Sequence, residues 1–193
     1  MPKISLAITG TIGSGKSTVS NIIRKYNLTV YDADVESKKI LAKNGPGYLK
    51  CLELFPEVSD PDGNIDRQKL AQIIFNDEEK KLQLEALIHP FIKADIIASI
   101  ANKDLFIAEI PLLFEKHFDK FFINKLLVTA DDDVINKRLL ARGMTQSEID
   151  ARIANQLSVE EKSKLATHVI KNNQDLTSLE DQVVQYLHLI KIL

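Results

Sequence analysis

The chain has 193 residues, with 25 Lys+Arg against 27 Asp+Glu for a formal net charge of −2, and 45% of its residues are hydrophobic. That balance fits one domain with insertions and excludes both a disordered chain and a general nucleic-acid coat, leaving room only for a local basic pocket. Cys51 is the single cysteine, which excludes a disulfide framework and fits a reducing compartment.

The apolar stretch before Gly10 is too short for a secretion signal or a membrane span, so a cytoplasmic protein with no membrane partner is expected. Ile4–Thr9 is an apolar run that stops at Gly10 and predicts a buried strand. Ser17–Tyr26 gathers Val19, Ile22 and Ile23 on one side and predicts a helix. Leu28–Tyr31 predicts a second strand, so the chain opens as a β-α-β unit of a parallel sheet. From Val35 to Ala101 the periodicity is helical. Gly45-Pro46-Gly47 and the turn residues 59–64 interrupt it, and Asp66 and Asp77 suit N-caps. Pro90 is expected to divide a helical stretch into Leu82–Ile88 and Phe91–Ala101.

Strand character returns at Leu105–Ile110 and Lys125–Thr129, and Val134–Arg142 predicts a helix ending at Gly143. Thr145 with Glu148 and Ser158 with Glu161 fit capping boxes. The hairpin of two polar helices over Thr145–Leu165 therefore reads as a mobile lid, in which Arg152 would turn inward on closure. His168–Ile170 is a last weak strand, and Ser178 is the expected cap of a final helix from Leu179 to about Leu189.

Gly10-Thr11-Ile12-Gly13-Ser14-Gly15-Lys16-Ser17 matches G-x-x-x-x-G-K-[ST], the phosphate-loop pattern, and three of the chain's seven glycines fall inside it. Glycines let the backbone turn tightly and aim successive N–H groups at one anion, and the following helix adds its positive end. Thr11, Ile12, Gly13, Ser14, Gly15, Lys16, Ser17 and Thr18 are thus the candidate nucleotide-binding residues. Lys16 supplies a cation for the β- and γ-phosphates, and the Ser17 hydroxyl supplies a ligand for Mg²⁺. A dinucleotide fingerprint fails, because no third glycine follows Gly15.

Other residues have two readings each. Asp32 and Asp34 follow the second strand, where a carboxylate faces the ligand crevice, yet Asp34 also suits a helix cap. His89 is a ligand or a structural cap. Leu112, Leu113 and Phe114 form an apolar wall for a ligand or ordinary core. Glu109 is an outer carboxylate of a magnesium site or an incidental acid. Arg138 and Arg142 lie four apart on one helix face, which suits either ATP phosphates or a solvated face shared with Lys137.

Taken in order, these segments resemble the dephospho-coenzyme A kinase family. The resemblance rests on the Thr9–Ser17 loop, Asp32-Ala33-Asp34, His89-Pro90 and Pro111–Glu115. Arg138-Leu139 with Arg142, Arg152-Ile153 with Gln156, and Val169-Ile170 with Asn172 complete it. It implies an α/β fold: a three-layer, P-loop NTPase-type parallel sheet flanked by helices. The core would be residues 1–45, 104–140 and 166–193, with a helical CoA-binding insertion at 46–103 and a lid at 141–165, all one kinase unit of 1–193. It implies transfer of the ATP γ-phosphoryl group to the ribose 3′-hydroxyl of dephospho-CoA, the last step of CoA synthesis, with Mg²⁺. Asp34 would be the general base beside Asp32, with Lys16 and Arg138 also catalytic. Arg142 would face the ATP phosphates, Ser17 would meet the metal, and His89 with Leu112–Phe114 would belong to the acceptor side. Only small-molecule partners are implied, for a monomer or weak homo-oligomer. The chain departs from the family with Ala7 and Thr11 where glycine is frequent, and with Thr167 where an acid is usual. The rival readings are another small-molecule P-loop kinase, acting on a nucleoside or its monophosphate, and a non-catalytic P-loop switch. A guanine-reading Asn-Lys-x-Asp motif is absent from the sequence.

Overall fold

The computed structural model describes residues 3–193. Its strands are β1 (Ile4–Gly10), β2 (Val30–Asp32), β3 (Leu105–Glu109), β4 (Asn124–Thr129) and β5 (His168–Lys171). Its helices are α1 (Lys16–Lys25), α2 (Ala33–Ile40), α3 (Tyr48–Leu54), α4 (Arg67–Asn76), α5 (Glu78–Asn102), α6 (Asp132–Ala141), α7 (Gln146–Ala154), α8 (Val159–Leu165) and α9 (Leu176–Leu189). The chain divides into two compact units, Met1–Asp32 with Ile100–Leu193, and Ala33–Ser99.

The first unit is a five-stranded sheet of order β2-β3-β1-β4-β5, and every pairing is parallel. Parallel strands are buried on both faces, which is why β1, β3 and β4 read as continuous apolar runs rather than alternating ones. Leu6, Ile8, Ile107, Leu126 and Val128 face one side, where Val19, Ile22 and Ile23 of α1 and Leu179, Val183 and Leu187 of α9 close the core. Residues of the other parity turn to the opposite face, where the Phe106 ring stacks on Phe122 at 6.0 Å. The order matters for the site. Because β3 lies between β1 and β2, and all run the same way, their carboxyl ends bring Gly10, Glu109 and Asp32 to one edge.

The second unit is helical around Cys51, Phe55, Val58, Ile65, Leu70 and Leu84. Asp66 caps α4 as its side chain accepts from the Gln68 and Lys69 amides, both at 3.0 Å, and Asp77 accepts from the Lys80 amide at 3.0 Å. Pro90 does not divide the helix: α5 runs unbroken from Glu78 to Asn102. A proline removes one backbone hydrogen bond, but Leu84 before it and Ile92 and Ile96 after it are all buried, and that burial holds the two halves as one rod.

The remaining differences concern ends of elements. The second strand is Val30–Asp32 rather than Leu28–Tyr31. The last helix begins at Leu176, and its cap is Asp175, whose carboxylate accepts from the Ser178 amide at 2.9 Å. Ser178 sits inside the first turn instead. Both capping boxes are present, at Thr145/Glu148 and Ser158/Glu161. Among the described residues no helix is long and apolar enough to cross a membrane.

Burial at the centre of the second unit pushes the Cys51 thiol up to about 11. The thiol should therefore stay unreactive toward an aromatic disulfide reagent near pH 8 and titrate fully once the chain is unfolded. Immediate reaction in the native state would contradict this packing.

Candidate active site

The turn between β1 and α1 forms the centre of the site. Gly15 occupies the cap position of α1 in the left-handed region, at φ 99°, and no side chain caps the helix. The first turn of α1 carries no acid either. Its amides and its positive end are thus left for an anion. The Lys16 ammonium donates to the carbonyls of Gly10 and Thr11, both at 2.9 Å, which holds the cation against the loop backbone. Thr11 Oγ1 and Ser14 Oγ are buried within the same loop without a hydrogen-bond partner among the described residues.

Acidic residues end the two strands next to the loop, and one of them reaches the helix start. Ser17 Oγ donates to Glu109 Oε1 at 3.0 Å. Glu109 is 5% exposed, and its second oxygen is buried with no hydrogen-bond partner among the described residues. Asp32 pairs in register with Glu109 across β2 and β3. A hydroxyl, a buried carboxylate with a spare oxygen and a nearby second acid are hard oxygen donors of the kind Mg²⁺ takes. Among the described residues no group of three or more ionisable ligands forms a closed metal cage. Such a cation would draw its other ligands from phosphates and water.

The loop is braced from behind by α6 and the end of β5. Arg138 donates to the Gly13 carbonyl at 3.4 Å, the Asn172 carbonyl at 2.9 Å and Asn172 Oδ1 at 3.3 Å. Asn172 Nδ2 donates in turn to the Ser14 carbonyl at 2.8 Å. A guanidinium fork and a side-chain amide together fix the backbone on both sides of Gly13-Ser14. Arg142 is the exposed cap residue at the end of α6. The helical pair α7–α8 also reaches the loop: Ile149 of α7 is fully buried, and Gln156 Oε1 accepts from the Ile12 amide at 3.3 Å. Arg152 is exposed.

The segment after β3 holds Leu113 and Phe114 buried and Leu112 half-buried. Glu115 Oε1 accepts from the Leu157 amide at 3.0 Å and lies 2.8 Å from the ammonium of Lys162, which is fully buried. That contact is an ion pair more than a well-directed hydrogen bond. In the second unit, Asp34 is exposed in the first turn of α2, and His89 is half-buried along α5.

The dephospho-CoA kinase (CoaE) family profile matches residues 4–178. The chain belongs to the dephospho-CoA kinase family. It is 35% identical over 190 residues to a protein of Bacillus cereus named dephospho-CoA kinase, covering 93% of this chain and 94% of that one. A solved dephospho-CoA kinase from Campylobacter jejuni is 26% identical and superposes with a TM-score of 0.68, over 97% of each chain. A crystal structure from Thermus thermophilus is 34% identical with a TM-score of 0.83, over 97% of this chain and 98% of that one.

For a dephospho-CoA kinase relative, the structure brings together Lys16, Ser17, Glu109 and Asp32 at one sheet edge, with Arg138 behind the loop. Thr167 lies at the amino end of β5, where its hydroxyl accepts from the Lys125 amide at 2.7 Å and donates to the Lys125 carbonyl at 3.1 Å. It closes the start of the β4–β5 pair, at the end away from the phosphate loop. Sequence reasoning gave no partner to Asn172, Gln156, Glu115 or Lys162. Lys162 carried no signal at all, since a lysine in a polar helix ordinarily faces water.

A Cβ on Gly15 would lie 2.1 Å from Asn172 Nδ2, whereas one on Gly143, at φ 83°, would meet nothing within 4 Å. Gly143→Ala therefore isolates the backbone penalty of about 1–2 kcal/mol. Gly15→Ala should cost at least ~1 kcal/mol more in denaturant unfolding, because it displaces Asn172 from Ser14. Equal losses in the two variants would show that Asn172 does not brace the loop.

Proposed function

We propose that this protein transfers the ATP γ-phosphoryl group to the ribose 3′-hydroxyl of dephospho-CoA, giving CoA and ADP. The family match over nearly the whole chain carries this reading, and the phosphate loop supplies machinery that suits it. In this reading Thr11 to Thr18 wrap the phosphates. Lys16 and Arg138 share the negative charge that moves during transfer, and Arg142 contributes from the exposed end of α6. Asp34 aligns the acceptor hydroxyl and takes its proton, with Asp32 beside it in the chain. His89 and the Leu112, Leu113 and Phe114 segment serve the acceptor side.

Mg²⁺ fits the Ser17 hydroxyl and the spare oxygen of Glu109, and when bound it supplies neutralising charge to the phosphates. Residues 46–103 serve as the acceptor-binding insertion and 141–165 as the lid, on a core of 1–45, 104–140 and 166–193. Lid closure would exclude water as a competing acceptor. The reading places the enzyme in the cytoplasm, as a monomer or weak homo-oligomer with small-molecule partners only.

ADP release should depend on dephospho-CoA. Reaction with a nucleoside or its monophosphate, and none with dephospho-CoA, would replace this substrate with another and leave the phosphate chemistry intact. Asp34→Asn should lower kcat about 10²-fold or more while ATP still binds. Unchanged turnover would remove Asp34 from its role. Lys16→Ala should weaken ATP binding and rate together, as expected for a cation that holds phosphates in both ground and transition states.

A further inference from the structure

Ile12 is held twice, by an apolar cluster built mainly on α6 and α7 and by the connector that follows α7. Its side chain packs against the cluster of Ala130, Ile135, Leu139 and Ile149, and its amide donates to Gln156 Oε1 at 3.3 Å. The carbonyl of the same peptide unit, that of Thr11, accepts from Lys16 Nζ at 2.9 Å and from the Ser14 amide at 3.3 Å. A trans peptide is planar, with N–H and C=O pointing opposite ways. Fixing the Ile12 N–H therefore fixes the Thr11 carbonyl. Rotating that peptide would take the carbonyl off both Lys16 and Ser14.

The connector that carries Gln156 is itself held from the segment after β3. One residue on, the Leu157 amide donates to Glu115 Oε1 at 3.0 Å, and the same oxygen pairs with the fully buried Lys162 at 2.8 Å. Removing either partner strands a buried charge, so in this arrangement the connector between α7 and α8 is tied to the segment after β3. We propose that Gln156 is a positioning residue for nucleotide binding: through the Thr11–Ile12 peptide it sets the place of the Lys16 ammonium. This rests on the phosphate-loop reading above, but not on the identity of the acceptor.

Two variants test it. Gln156→Met keeps the length of the side chain and removes its oxygen; Gln156→Glu keeps an oxygen and adds a charge. ATP affinity is measured by calorimetry without acceptor, and exchange of the Ile12 amide by NMR in the free protein. Gln156→Met should speed Ile12 exchange about tenfold and weaken ATP binding about fivefold, the loss of one modest hydrogen bond. Gln156→Glu should keep the amide protected and bind ATP more weakly at low salt, with the deficit shrinking as salt rises, because its carboxylate stands beside the phosphates. A lowered melting temperature with ATP affinity and Ile12 exchange unchanged in Gln156→Met would overturn the proposal. So would wild-type, salt-insensitive affinity in Gln156→Glu. A wrong acceptor alters neither readout.

Discussion

A helix that begins without a side-chain cap leaves its first amides to be satisfied from outside, and in this chain that demand falls on the turn from Gly10 to Lys16. Everything near the turn is arranged around it. The backbone there is held in its unusual course by Arg138 and Asn172 from one side and by Gln156 from another. None of these braces takes the place of an anion at the helix start. They bond to carbonyls and to the outer Ile12 amide, so the loop is stiffened while its helix end stays available. Preorganisation of this kind lets fixed dipoles stabilise moving charge without rearranging during the reaction.

The sheet order converts that turn into a site. With β3 inserted between β1 and β2, the residue closing β3 stands directly beside the start of α1, and Ser17 meets Glu109 there. Had β2 paired with β1, Glu109 would have been a strand away from the loop. A short sequence pattern identifies the phosphate loop, whereas the acid beside it is assigned by long-range strand pairing, which has no local signature. Local residues build the cradle; topology supplies its carboxylate.

The same division explains what the residues disclosed in advance. Strands β1, β3 and β4, both capping boxes and the glycine loop are local matters, governed by apolar runs, cap chemistry and turn geometry over a few residues. They were legible, with ends displaced by a residue or two. At Pro90 a local rule predicts a division that burial on both sides overrides, and Ser178 is a plausible cap by residue type where the structure uses Asp175. The partners of Glu115, Gln156 and Asn172 lie dozens of residues away in the chain, so spacing could not reveal them. Lys162 is the extreme case, a charge buried in a helix whose sequence is otherwise that of a solvated surface. For Arg138 the sequence leaves two readings open, a partner for phosphates or a solvated face. That it grips the Gly13 and Asn172 carbonyls, and so braces the loop, is visible only in the structure.

The most direct measurement of the whole account is calorimetric titration of the wild-type protein with AMP, ADP and ATP in turn. If the turn after β1 cradles the β- and γ-phosphates, ADP and ATP bind, and AMP binds at least about a hundredfold more weakly, since several charge-assisted hydrogen bonds are lost with the outer phosphates. AMP binding as tight as ATP binding would mean that affinity resides in the base and sugar, and that this loop is not the phosphate site.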